Sequence, residues 1–408
     1  MAMAVGDPSS PLSSTSILVA PLSTWPSAQA EGGQLCSNAS LNATACGAGF
    51  ETRVPSTPIF LPWHNPDNVI SYDSLLTVQK LLCCYVNIFF LPVGVPVNIL
   101  SCVVFVRQGL RDRMNLCLFC LAFVDLLFVV LMCLPGLVCL ATTGCRRGSA
   151  TSENNDDDGK EEEVERWWVV TLTLYMSGLY RLMIFASGCL TAFVAVDRCL
   201  GVCWPMQAAA FIKTRTVAWI ILFTLVLLQL LCLPYPLKNQ VSAVWDAGSN
   251  RTYYGLTVTT AYVHNRAAFD VFINVFDMCL LPFTTFAVVA VATSLTVVQL
   301  KRAIAWRERG GSTHGPHSSR QVALVKMLVV VCCIYMVTAT PNVALGITRC
   351  LVKDFATNGR YYNIYLLASS LTFELAMVNS SVGFFVYVSQ SSKFRRELLL
   401  YVSCKKAA

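Results

Sequence analysis

Charge is the scarcest thing in this chain. Asp, Glu, Lys and Arg make up 13% of its 408 residues, while 55% are hydrophobic. Soluble domains carry about a quarter charged residues, and the mean hydropathy of +0.58 points the same way. A surface this poor in charge excludes an ordinary soluble enzyme and expects a chain dissolved mostly in lipid. Histidine is scarcer still. His64, His264, His314 and His317 all fall outside the apolar runs, so no His/Asp cluster is set to bind a catalytic metal, and a membrane hydrolase is disfavoured. A basic start followed by a short apolar core and a cleavage site is missing from the amino end. No signal peptide is therefore expected, and the first apolar run serves as an uncleaved anchor. Internal repeats with Gly/Pro-broken helices in matching halves are missing too. That argues against the rival from another class, a heptahelical transporter or channel.

What is abundant is apolar length. Runs at about 81–106, 115–140, 167–197, 216–236, 268–298, 327–348 and 362–388 each reach the roughly 20 residues that cross a bilayer as a helix. Runs one, four and six contain no charged residue, run two only Asp125, and run seven only Glu374. The fold expected is all-α: an integral membrane bundle of seven helices over 76–390. A glycosylated amino-terminal tail, 1–75, precedes it. A short amphipathic helix and tail follow at 391–408.

Direction follows from where Lys and Arg collect. Loops 107–114, 198–215, 299–326 and 389–408 hold 17 of them. The opposite set, the tail with 141–166, 237–267 and 349–361, holds 12 over roughly twice the length. The denser basic set is expected in the cytoplasm, which puts the N-terminus outside and the C-terminus inside. The sequons at Asn38, Asn42 and Asn250 all fall on the expected outside, whereas a fourth at Asn379 lies within run seven.

The 19 cysteines do not form a disulfide framework. Most, including Cys83, Cys84 and Cys279, sit inside apolar runs and are expected to act as small hydrophobes. Only Cys36, Cys46, Cys145 and Cys350 fall where an oxidising compartment would pair them, with three connectivities open. Near the carboxyl end, "SSKFRRELLLYVSCKKAA" alternates apolar with basic residues and suits a helix lying on the inner membrane surface. Cys404 beside two lysines is a palmitoylation candidate, an unmodified thiol being the alternative. The outer insert 141–166, with seven acidic residues between Asp156 and Glu165, is expected to be a solvated loop. It could also steer cationic peptides. Loop 299–326 is basic at its start and then Gly/Ser-rich, a contact for anionic lipid or simply a basic linker.

Motifs recur in order along the spans. They are Asn98 in "GVPVNIL", "LAFVD" ending at Asp125, Asp197-Arg198 ending run three, Trp219, "LLPF", "TATP", "NSSVGFFVY" and "SSKF". Over roughly 75–400 the chain resembles a rhodopsin-like G-protein-coupled receptor. Within that family it looks most like molluscan chemosensory receptors and FMRFamide-type neuropeptide receptors. The resemblance implies a plasma-membrane receptor that is not an enzyme. It binds an extracellular ligand, activates a heterotrimeric G protein, meets kinases and arrestin, and contacts no nucleic acid.

Carried over residue by residue, the resemblance makes Asp197, Arg198 and Tyr387 the coupling switch. Asp125, Ser187, Asn379 and Ser380 become a buried polar centre that holds sodium in the family; no other cofactor is expected. By the rise of a helix, Asp125 and Ser187 each lie about 15 Å from the cytoplasmic edge. A carboxylate there must be protonated, hydrogen-bonded or neutralised by an ion.

The departures are as informative. Gly383 and Phe384 stand where the family's span-seven Asn-Pro falls, which leaves sodium and a hydroxyl-bonded Asp125 as alternatives. Ala339 and Ala290 replace the usual tryptophan and tyrosine. Gln321 replaces the acidic partner of Arg198, so signalling without agonist is expected. Thr173 replaces the outer cysteine of run three and loop 237–267 has none, so the usual disulfide cannot form. Cys36–Cys46 and Cys145–Cys350 are candidate staples instead. Tyr180 stands where amine receptors carry aspartate, which argues against an amine ligand. Arg181, Asp277 and Glu374 are charges in outer halves of their runs. Either they pair with one another, or they meet an amino-acid-like ligand or a peptide.

Overall fold

The computed structural model describes residues 67–149, 158–204, 213–246, 251–309, 316–355 and 359–406. Seven helices in it are long and apolar enough to cross a membrane. They are span one, Tyr72–Gln108; span two, Arg113–Val138; span three, Gly178–Cys203; span four, Thr214–Lys238; span five, Arg266–Trp306; span six, Val322–Leu351; and span seven, Tyr362–Gln390. Most ends lie within a few residues of those expected. Span five is longer at its carboxyl end because Lys301, Arg302 and Trp306 continue the helix past the apolar run.

The bundle is inside-out relative to a soluble protein. Phe223, Trp219 and Val337 are exposed on its outside, whereas Asn98, Ser101, Asp125, Ser187, Thr191 and Asp197 are buried within. Lipid solvates the first set, and interhelical hydrogen bonds hold the second. Asn98 shows the principle. Its amide donates to the carbonyls of Gly94, 3.0 Å away, and Ser380, 2.9 Å away, tying span one to span seven.

Two segments between spans differ from expectation. Span two belongs to a helix running Arg113–Ser149 and span three to one running Asp158–Cys203, so much of 141–166 is helical and not a solvated loop. Glutamate is a good helix former, and acids in a helix's first turns complement its dipole. The segment after span four forms a hairpin of β1, Asn239–Asp246, and antiparallel β2, Arg251–Val258, with Asn239 opposite Val258. Alternation of polar and apolar residues in "NQVSAVWD" suits a strand with one covered face. The chain is thus helical apart from this hairpin among the described residues. A short helix, Thr260–His264, closes the segment, its Thr259 hydroxyl accepting from the Tyr262 amide. Burial, helped by a hydrogen bond to Asp270, pushes the Tyr262 phenol up to about 12, so it stays a donor.

A terminal helix, Ser392–Lys406, follows span seven. Phe394 is buried against Phe105, Phe384 and Tyr387, whereas Leu399 and Val402 are exposed. The cysteine expectations change in two places. Cys84 is disulfide-bonded and is not merely a small hydrophobe. Cys350 is a free thiol, so the Cys145–Cys350 staple is not formed. The helix carries Cys350 to the end of span six, where its sulfur meets Cys279 of span five. Asn38, Asn42, Asn250, Cys36 and Cys46 lie outside the described residues, as do the side chains of Cys145 and Cys404.

Candidate functional site

Span five unwinds where it matters. Phe272–Leu280 is a π-helix, the wider turn that often marks functional positions in helices. Pro282 follows and has no N–H to return to the preceding turn. Within this segment Asp277 is buried, 1% exposed. Facing it, span four ends in "PYPLK", a final turn over Pro234–Lys238, which brings Tyr235 inward to donate its hydroxyl to Asp277 Oδ2.

Arg181 enters this group from span three. Its guanidinium lies over the Tyr235 ring at 4.4 Å and the Phe373 ring at 5.5 Å, with Met278 Sδ 3.8 Å from one terminal nitrogen. Such stacking offsets part of the cost of removing the cation from water. Among the described residues Arg181 forms no ion pair, and its Nε has no hydrogen-bond partner. Asp277 Oδ1 likewise has none. A partly buried cation and a buried carboxylate thus stand in one cavity, each with capacity left over.

That cavity, about 90 Å³, is lined near one end by Arg181, Asp277 and Met278 and near the other by Ser187, Asn379 and Ser380. Drug-sized sites run to about 300–1,000 Å³, so the space suits a small molecule or the tip of a larger one. Tyr335 crosses its wall, donating to Thr285 at 3.3 Å. The crossing needs Gly188, where a Cβ would lie 2.9 Å from the Tyr335 hydroxyl.

Below the cavity lies the polar centre. Ser187 and Ser380 donate to the same oxygen, Asp125 Oδ1, at 2.8 and 2.9 Å. Asn379 lines the cavity but, among the described residues, is not hydrogen-bonded to Asp125. At the far end Asp197, 3% exposed, is held by Arg198 through Nε at 3.1 Å and through a terminal nitrogen. Arg113 Nε is 3.2 Å from the other oxygen, an ion pair without hydrogen-bond geometry.

The structure therefore brings together Arg181 with Asp277, Asp125 with Ser187 and Ser380, and Asp197 with Arg198. Three expected members stand elsewhere. Glu374 does not line the cavity; the Asn87 side chain of span one donates to its two oxygens at 2.9 and 3.1 Å. Tyr180 is one step further round the helix, packed edge-on against Phe373 at 5.4 Å. Tyr387 is buried against Phe105 and Phe394, with no bond to Asp197 or Arg198 among the described residues. Two residues escaped the sequence reading. Tyr235 was hidden as an aromatic between two prolines, although a polar-tipped ring at a span end is a signal. Arg113 counted only as one more basic loop residue.

Seven lipid-facing helices around a polar shaft, with an ion clasp at one end, define a seven-helix membrane receptor. The chain belongs to the family described as serpentine type 7TM GPCR chemoreceptor Srw, whose model matches residues 85–405. Membership makes it a multi-pass plasma-membrane protein of a chemoreceptor family, not an enzyme. No curated protein matches the chain.

Proposed function

We propose that this receptor binds a small carboxylate-bearing, amino-acid-like ligand between Arg181 and Asp277 and signals through a heterotrimeric G protein. The observation carrying this reading is the pair of unused atoms, Arg181 Nε and Asp277 Oδ1, in one cavity. Charges buried within a bundle find partners, and a ligand with both carboxylate and ammonium groups supplies one for each. The ligand must prefer the active arrangement to shift the equilibrium. In that arrangement Arg198 leaves Asp197 for the G protein. The basic and densely charged loops, with the resemblance to rhodopsin-like receptors, support an outer N-terminus and an inner Arg198.

A library of free amino acids and short peptides, read by calcium imaging with a promiscuous G protein, tests the ligand class. Free acids should act at least tenfold more potently than their amides. Equal potency of acid and amide would remove the role of Arg181. The second reading is a neuropeptide ligand, favoured by the acidic residues that open the long helix at Asp158. An amidated peptide brings no carboxylate, so a response to amidated peptides alone selects that reading.

The polar centre supports a hydroxyl-bonded Asp125 without sodium. Both serine protons are directed at Oδ1, where they fill lone pairs an ion would need, and Gly383 and Phe384 supply no side-chain oxygen. Replacing sodium by N-methylglucamine should leave agonist potency unchanged within about twofold; a clear gain in potency would favour a sodium site.

Arg113 belongs to the switch in this reading. It is one-fifth exposed, and such pairs are worth about 0.2–1 kcal/mol, which converts to a factor of about 1.4–5. Arg113→Gln should therefore raise ligand-free signalling by up to about fivefold. A fall in basal signalling at equal surface density would show that Arg113 does not hold the closed state.

A further inference from the structure

Spans five and six meet beside the ligand cavity at a point unlike the rest of their seam. At Gly346 a Cβ would lie 2.4 Å from the Met278 carbonyl oxygen and 3.5 Å from the Cys279 Cα. Only the missing side chain lets the two backbones come this close. Met278 itself lines the cavity and touches both Arg181 and Tyr365.

Four residues beyond Gly346, one helical turn along the same face, stands Cys350. It is exposed and Cys279 is partly so; both are free thiols. The two side chains are close enough to interact. Cα atoms of bridged cysteines lie about 4.4–6.8 Å apart, a range that backbones in contact at the adjoining turn can meet. This chain also lacks the cysteines that the resemblance would use to staple span three to loop 237–267. Its outer face is thus left to other covalent ties.

We propose that Cys279 and Cys350 form a reversible disulfide that fastens span five to span six at the wall of the ligand cavity. The oxidant is a low-molecular-weight disulfide of the extracellular medium. The more exposed Cys350 thiolate attacks one of its sulfurs, forming a mixed disulfide and releasing one thiol. The Cys279 thiolate then attacks Cys350 Sγ, forming the protein disulfide and releasing the second thiol. Two protein thiols are oxidised, the small disulfide is reduced to two thiols, and the two protons left by the protein pass to those thiolates. The bridge fixes Met278 against span six, so it restricts the wall that must move when a ligand shifts the bundle.

The site rests on the outer placement of Cys350 proposed above, and the experiment separates the two claims. Intact cells expressing the full chain are treated with cystine or with dithiothreitol, alkylated, and the receptor mapped by mass spectrometry without reduction. In parallel, reduced cells are labelled with a membrane-impermeant methanethiosulfonate. We expect a Cys279–Cys350 linked peptide after cystine, its loss after dithiothreitol, and labelling of Cys350 from outside. The maximal agonist response should fall at least threefold on oxidation in the wild type, and change little in Cys350→Ser and Cys279→Ser. Labelling from outside with no linked peptide would overturn the disulfide alone. Labelling of Cys350 only after permeabilisation would overturn the topology and the disulfide with it. A linked peptide with an unaltered response would overturn the restriction of the cavity wall.

Discussion

Replacing Arg181 with methionine is expected to lower the potency of carboxylate agonists by about two orders of magnitude at near wild-type surface density. Truncating one partner of a buried, hydrogen-bonded charge pair costs about 2–5 kcal/mol, and each 1.4 kcal/mol is about tenfold. Methionine keeps an unbranched apolar stem against Tyr235 and Phe373, so packing is largely retained. Folding should not suffer, because the guanidinium in the free receptor already has an unpartnered Nε and is costly to bury. Arg181→Lys should fall between the two: it keeps the charge but loses the planar fork that grips a carboxylate through two bonds. Concentration–response curves with surface density measured on the same cells decide the matter. Undiminished potency in Arg181→Met would mean that the cation is tolerated by its aromatic neighbours and does not meet the ligand.

Asp197→Asn is the second large effect, and it runs the other way. Here the variant removes a negative charge that holds two guanidiniums, Arg113 and Arg198, at the end of the bundle opposite the ligand cavity. Breaking a fully buried pair costs about 3–5 kcal/mol. The two arginines are each about one-fifth exposed and reach interfacial water, so the cost here is smaller. A loss of about 1.4 kcal/mol from the closed state alone multiplies the open-to-closed ratio by about ten. Ligand-free second-messenger production should therefore rise about tenfold per receptor at the surface, more than for Arg113→Gln. Basal output equal to wild type would show that the clasp does not govern the closed state. By the resemblance, Gln321 stands where an acidic partner of Arg198 is usual, so Asp197 is expected to carry the restraint in this chain.

Much of this architecture was legible because the bilayer imposes it. Runs such as 216–236 have no charge to place in water, and only a helix satisfies their backbone in lipid. The buried centre was legible for a related reason. Asp125 cannot remain unaccompanied at that depth, and helical rise alone put Ser187 level with it. Rotation about a helix is what the spacing could not supply. Arg181 and Tyr180 are neighbours in sequence, yet the helix turns only the first into the cavity. Glu374 shares the amino-terminal half of span seven with the cavity-lining Phe373 and Thr372 but points to Asn87. The π-turn that holds Asp277 inward could not be read from spacing, because its extra residue per turn changes which residues of Phe272–Leu280 share a face. Likewise the helices extending into 141–166 were obscured by acidic residues, which signal a solvated surface and a helix start alike.

One directional claim underlies all of this: the cavity of Arg181 opens to the medium and the clasp of Asp197 faces the cytosol. Distinct epitopes fused ahead of Met1 and after Ala408 measure it directly by antibody staining of intact and permeabilised cells. The account expects the first epitope to stain on intact cells and the second only after permeabilisation. The reverse pattern, or both epitopes on one side, would contradict it.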